Sequence, residues 1–301
     1  MKKYLLGFSV KSLTAISAFL ILLIVTVIMI TIISGGWSHI TWEFLTTAPK
    51  EGMTEGGIFP AIFGTFLLVV IMSIFSVPIG TISAIYLTEY ARTDSIAARF
   101  IRFSINTLAG VPAIVFGLFG LGFFIQFIGK EMDNVFYGGM ELRWGQPNIL
   151  WASLTMALLT LPVVIVSVEE AIKSVPKELR EASLALGATK WQTIRKVVIP
   201  NSITGILTGG ILAVSRGAGE VAPILFTGAA YFLPYLPSSL SDQFMELGYH
   251  IFIMSTQSPD VEATKAIQYA TTLVLLVLTF TLNFSAIFLR YKLRMIKSRF
   301  S

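Results

Sequence analysis

Two opposite charges interrupt an otherwise apolar run that extends from Ile203 toward Tyr231: Arg216 and Glu220. Four residues apart on a helix, they share one face. A cation at the centre of a membrane helix costs about 2.5 to 3.5 kcal/mol on insertion scales, so such a side chain faces a partner or a polar path. Arg216 offers a planar, multi-donor cation suited to an oxyanion, with Glu220 orienting it and keeping the empty path from binding too tightly. The competing reading is an internal ion pair that neutralises both groups and fixes helix packing. Other chemistry is sparse. His39 and His250 lie far apart in external loops and signal neither metal binding nor catalysis, which makes them ordinary surface residues. There is no cysteine for a thiolate site and no GxxxxGK[ST] loop to cradle ATP phosphates. An enzyme working in the membrane would need a nucleophile, a metal cluster or a carboxylate dyad within the spans, and only the Arg216 and Glu220 pair is there.

The elements that position this pair are membrane helices. With 54% hydrophobic and 13% charged residues, and a mean hydropathy of +0.77, the chain of 301 residues is too apolar for a water-soluble domain. Apolar runs at 12–33, 58–87, 103–128, 149–168 and 266–289 join the run from Ile203 to give six spans, each meeting the length of about 20 residues that a bilayer requires. The first is too long for a signal peptide and is read as a retained helix. The fold class is all-α integral membrane, with bends at Pro78, Pro112 and Pro162. Basic residues collect at Lys2, Lys3 and Lys11, at Arg92, Arg99 and Arg102, between Lys173 and Lys196, and from Arg290 to Arg299. The alternate loops hold few cations and many carboxylates, so both termini are expected in the cytoplasm. That distribution explains the net charge of +5 without nucleic acid. The organisation expected is an N-terminal helix and external loop over 1–57, a transmembrane domain over 58–289 and a basic tail over 290–301.

Between the fourth and fifth spans the chain is patterned as two short helices. Pro176 and Glu178 suit a first turn, and Val175, Leu179, Ala182 and Leu186 recur along one face until Gly187 stops the helix. Thr189 and Gln192 form a capping box for a second helix with Trp191, Ile194 and Val198 on one stripe, ended by Pro200. Such a hairpin suits a helix-in-groove contact with a partner protein, and it equally suits an anionic lipid surface. The stripe Gly205, Gly209, Ala213 and Gly217 permits close packing against a neighbouring helix and is read as structural, with the equivalent helix of a second membrane subunit as the other candidate neighbour. Asn106, Thr107, Gly117, Gly120 and Gly122 in the third span are read as packing residues rather than path-lining ones.

The spacing Glu181-Ala182-Ser183, Gly187, Val197, Ile199-Pro200 resembles the EAA motif of ABC importer permeases, with Ser183, Val197 and Ile199 as mild departures. The segments GGIFPAIFGT (56–65), IYLTEYA (85–91), GVPAIVFGLFG (110–120), LREASLALGATKWQTIRKVVIP (179–200) and RGAGEVAPILFTG (216–228) resemble the PstA-type phosphate permeases in particular. The resemblance implies a type I importer fold and a coupling hairpin at 175–200, with Glu181, Ala182, Gly187, Trp191 and Pro200 meeting a separate ATPase. It also implies a role for Arg216 in phosphate passage. The partners implied are a second homologous, PstC-like permease, a PstB-like ATP-binding dimer, a PstS-like phosphate-binding protein and membrane lipid, with no cofactor and no enzymatic activity of its own. The chain departs from the family pattern at Val221, where Thr is frequent, and at Val166, where Arg often stands three residues before the Glu169 position. Another oxyanion, such as sulfate or molybdate, or a different small solute is the alternative cargo. A stand-alone channel would leave the hairpin without a purpose.

Overall fold

The computed structural model describes residues 2–298 apart from 51, 52, 54, 93, 94 and 259, so Arg299 in the basic tail lies outside the described residues. Among them, six helical stretches are long and apolar enough to cross a membrane: Lys11–His39, Phe59–Tyr90, Ala113–Tyr137, Ile149–Lys173, Lys190–Gly217 and Val261–Lys292. Helix α1 (Lys2–Gly36) is apolar all round, buries none of its apolar window and packs along α12 (Val261–Ser298), as a helix solvated by lipid should. A short helix, α2 (Trp42–Thr46), and a two-stranded antiparallel ribbon, β1 (Pro49–Lys50) with β2 (Glu55–Gly56), lead into the second span.

The centre of the molecule is α7 (Ile149–Lys173), flanked by α3 (Phe59–Ile85) and α10 (Ile199–Gly217). Leu68, Met72, Ile149, Met156, Ile224 and Phe244 form one apolar core, and Ala84, Leu87, Val164, Ile172 and Val198 another. Small residues let the three helices close on one another. A methyl group on Gly205 would sit 2.0 Å from the Ala171 Cβ on α7, and one on Gly217 would sit 2.4 Å from the Met72 sulfur on α3. The stripe from Gly205 to Gly217 therefore packs inside this chain, as its structural reading expects, with α7 and α3 as the neighbours.

The first turn of α7 exposes backbone N–H groups that lipid would leave unpaired. The segment 227–242 supplies their acceptors: Asn148 donates to the Thr227 carbonyl (3.0 Å), Ile149 to Asp242 (2.9 Å) and Leu150 to Leu240 (3.2 Å). The Trp151 N–H donates to the Asn148 side chain, the N-cap (2.9 Å).

Three boundaries differ from those the sequence suggests. The run at 103–128 is not one helix: α4 (Ile96–Ala109), capped by Ser95, stops before Gly110, and α5 (Ala113–Phe119) begins after Pro112. Proline disfavours helical geometry in the residue before it, so Val111 breaks the helix rather than bending it. Span three then runs through a π-helical stretch, Gly120–Gly129, into α6 (Lys130–Tyr137). Pro78 and Pro162, by contrast, lie inside continuous helices. Pro200 does not end the hairpin's second helix. It lies in the first turn of α10, which continues without interruption from α9 (Lys190–Thr193) through a π turn at Ile194–Val198. A wide turn just before the proline changes the hydrogen-bond register where the missing N–H would otherwise break it. The fifth span also stops early, at Gly217, and 218–228 is a chain of turns.

Candidate functional site

The early stop of α10 decides how its two charges sit. Arg216 is in the last turn of the helix and exposed, whereas Glu220 lies beyond the helix end and is half-buried. They do not share a helix face, and among the described residues no ion pair joins them. The internal-pair reading therefore loses its geometric basis. Leu212, Ser215, Arg216 and Gly219 are exposed near the end of α10, where the Ser215 hydroxyl donates to Asn283 Oδ1 on α12 (2.6 Å). Non-helical backbone at membrane depth survives only where protein buries it or where it lines a polar space. Here Ala218, Ile224 and Thr227 are fully buried, and the Ala222 and Pro223 carbonyls lie against Gly117. Gly120 likewise meets Thr155 and Thr227, so two of the three span-three glycines do pack, while Gly122, Asn106 and Thr107 face outward.

The hairpin forms as its sequence requires. Helix α8 (Lys177–Ala185) follows Pro176, and Gly187 turns the chain at a φ of +86°, which a side chain would disfavour. The capping box is complete, with Thr189 N–H donating to Gln192 Oε1 (2.8 Å) and Gln192 N–H to Thr189 Oγ1 (3.3 Å). A hydroxyl bond between Ser183 and Thr193 (2.9 Å) ties the two arms. Each apolar stripe divides by depth. Val175, Ile194 and Val198 are buried in the membrane domain, whereas Leu179, Leu184, Leu186 and Trp191 remain exposed, Leu186 by 89% and Trp191 by 55%. Glu181, Ala182, Gly187 and Pro200 are exposed too, so all five residues expected to meet an ATPase are accessible.

Sequence reasoning missed the polar braces beneath the hairpin. Glu169, in the last two turns of α7 and 7% exposed, is held by an ion pair from Arg102 on α4 and another from Lys173 one turn on (2.8 Å). Arg102 also donates to the Leu87 carbonyl (3.2 Å), within the π turn Tyr86–Tyr90 that closes span two. Arg180 on α8 pairs with Glu89 of that same turn (3.2 Å) and donates to the Ile172 carbonyl (2.7 Å) and to that of Val175. Lys190 lies over the Tyr90 ring, 5.0 Å from its centroid. A signal was present: Glu169 follows an apolar run and needed a counter-ion, which Arg102 supplies from 67 residues earlier.

His250 is not a surface residue. Helix α11 (Leu247–Thr256) folds back on α12 and α3, which leaves His250 2% exposed with Nδ1 unpartnered among the described residues. Glu246, the N-cap of α11, is 2% exposed and accepts the Tyr249 N–H (2.6 Å). Burial pushes the Glu246 carboxyl up to about 7 and the His250 imidazole down to about 4. Between the ordinary carboxylate value and 7 the folded chain holds a proton that the unfolded chain has released, so Glu246 removes stability as pH rises through that window. His250 acts oppositely, removing stability as pH falls from the ordinary imidazole value toward 4. A Glu246→Gln variant should therefore gain thermal stability relative to the wild type as pH is raised from 5 to 8; a constant difference in detergent melting curves would refute this.

A six-span helical membrane domain of this kind has solved counterparts among ABC transporters. The bacterial alginate ABC transporter shares the fold at a TM-score of 0.65 and 16% identity, over 93% of this chain and 92% of that one. The MetNI methionine ABC transporter shares it at 0.53 and 17%, over 79% and 94%. The chain belongs to the family of binding-protein-dependent transport system inner membrane components, whose model matches residues 76–294. It is 35% identical to the probable ABC transporter permease protein YqgI of Bacillus subtilis over 77% of this chain and 78% of that protein. It is 37% identical to the phosphate transport system permease protein PstA of Yersinia pestis (67% and 59%) and 35% identical to PstA 1 of Mycobacterium tuberculosis (64% and 60%). The matched stretch thus spans about three-fifths of those last two relatives.

Proposed function

We propose that this chain is a permease subunit that passes inorganic phosphate through an ATP-driven importer, with Arg216 in the path. The observation that carries the reading is Arg216 itself, exposed and unpaired with Glu220 where α10 stops and the backbone unwinds. An unspent guanidinium at such a break offers forked donors to an oxyanion. The phosphate transport names of the relatives support the choice of cargo. The termini are cytoplasmic in this reading, and Arg290, near the end of α12, donates to Thr208 on α10 (3.0 Å), which puts that end of α12 toward the hairpin side.

A second homologous permease completes the path, an extracytoplasmic phosphate-binding protein delivers the anion, and a pair of ATP-binding subunits grips Leu186 and Trp191. Closure of those subunits pushes the hairpin and rocks the helices between inward-facing and outward-facing states. Reconstituting the chain with these partners should give phosphate uptake that requires ATP and is not displaced by sulfate or molybdate. Uptake by the chain alone without an ATPase, or equal competition by sulfate, would defeat the reading.

A further inference from the structure

Both arms of the hairpin make a polar contact with one short element, the π turn Tyr86–Tyr90. Arg180 reaches Glu89 from the first arm, Lys190 covers Tyr90 from the second, and Arg102 holds the Leu87 carbonyl from α4 while pairing with Glu169 on α7. The Arg180 and Glu89 side chains are 19% and 12% exposed, so their pair is shielded from salt far better than a surface bridge. The same guanidinium bonds the Ile172 carbonyl just before the end of α7. One side chain on α8 thus grips the cytoplasmic ends of both span two and span four.

We infer that Arg180 and Glu89 are positioning residues for coupling: their pair makes the hairpin move spans two and four together, so that displacement by an ATPase reaches the membrane helices. The inference rests on the reading of the chain as an importer permease. Span five needs no such bond, because the second hairpin arm runs into it without a break. Spans two and four join the hairpin through the chain at 174–176, the apolar core they share with Val175 and Val198, and these polar side-chain contacts. Without the pair the hairpin still docks and ATP is still hydrolysed, but the stroke moves span five past α3 and α7 rather than with them.

The test uses the assembled importer in proteoliposomes, reading phosphate taken up per ATP hydrolysed. Glu89→Gln, nearly isosteric and uncharged, should leave complex yield and ATP hydrolysis close to the wild type while uptake per ATP falls about tenfold, within the range of ordinary inter-site coupling energies. A merely structural role would lower yield, hydrolysis and uptake together. Because the chain has no cysteine, a Glu89→Cys, Arg180→Cys double variant in cysteine-free partners can be bridged by a short bis-methanethiosulfonate. Bridging should restore uptake per ATP, and reductant should remove it again. An unchanged ratio in Glu89→Gln, or bridging that blocks transport, overturns the inference; should Glu89→Gln assemble poorly, the bridged variant decides. ATP-driven phosphate uptake by the wild-type complex is the control, and its absence overturns the functional reading instead.

Discussion

Replacing Arg216 with Ala is expected to reduce phosphate uptake by about 10² to 10³-fold, the loss seen when a donor aimed at a developing or desolvated anion is removed. The side chain is exposed at the end of α10 and pairs with no carboxylate among the described residues, so truncation should leave the fold within about 0.5 kcal/mol of the wild type. Arg216→Lys keeps the charge but loses the planar fork and should fall between the two. Initial rates of uptake in proteoliposomes, set beside melting temperature and recovery of the intact complex, separate a path residue from a structural one. Uptake that survives Arg216→Ala would remove the path role, and loss of assembly in step with uptake would return Arg216 to packing.

The second large effect is at the hairpin tip. Trp191→Ala and Leu186→Ala should each weaken binding of the ATP-hydrolysing partner by about 2 kcal/mol or more, roughly thirtyfold in Kd, because large apolar side chains at the centre of an interface carry most of its energy. Neither change touches the interior, since both side chains are mostly exposed. Val175→Ala and Ile194→Ala provide the contrast: both residues are 4% exposed or less, and their truncation should lower the melting temperature of the isolated subunit. Titration of the purified ATPase onto the subunit in nanodiscs measures the first effect. If Trp191→Ala and Leu186→Ala bind the ATPase as the wild type does, the hairpin lies on lipid and not in a protein groove.

The parts of this chain legible in its sequence are those set by local rules. Gly187 turns the hairpin because its backbone is left-handed, the Thr189 and Gln192 box closes as its spacing implies, and four of the six spans cover the apolar runs expected of them. The parts that were not legible depend on what a segment packs against. The run after Gly217 reads as a continued span because it is apolar, yet it unwinds where Gly219 and Pro223 disfavour a helix, and its Thr227 carbonyl then serves the first turn of α7. Pro200 reads as a stop and is not one, because the π turn before it absorbs the defect. Glu169 reads as unassigned because its counter-ion comes from a different helix, and His250 reads as surface because α11 folds inward. The glycine stripe was legible as packing, although spacing announces a close approach without naming the neighbour.

The carbonyls of 227–242 are the sole backbone acceptors described for the three N–H groups at the start of α7. Peeling this segment outward would strand three donors at the lipid boundary, each costing about 1 to 3 kcal/mol. It is thus a clasp rather than a lid, and the segment and α7 travel as one body. In the proposed importer, an opening would then run along a seam that these bonds do not cross, such as the exposed flank of α10 beside Leu212 and Arg216.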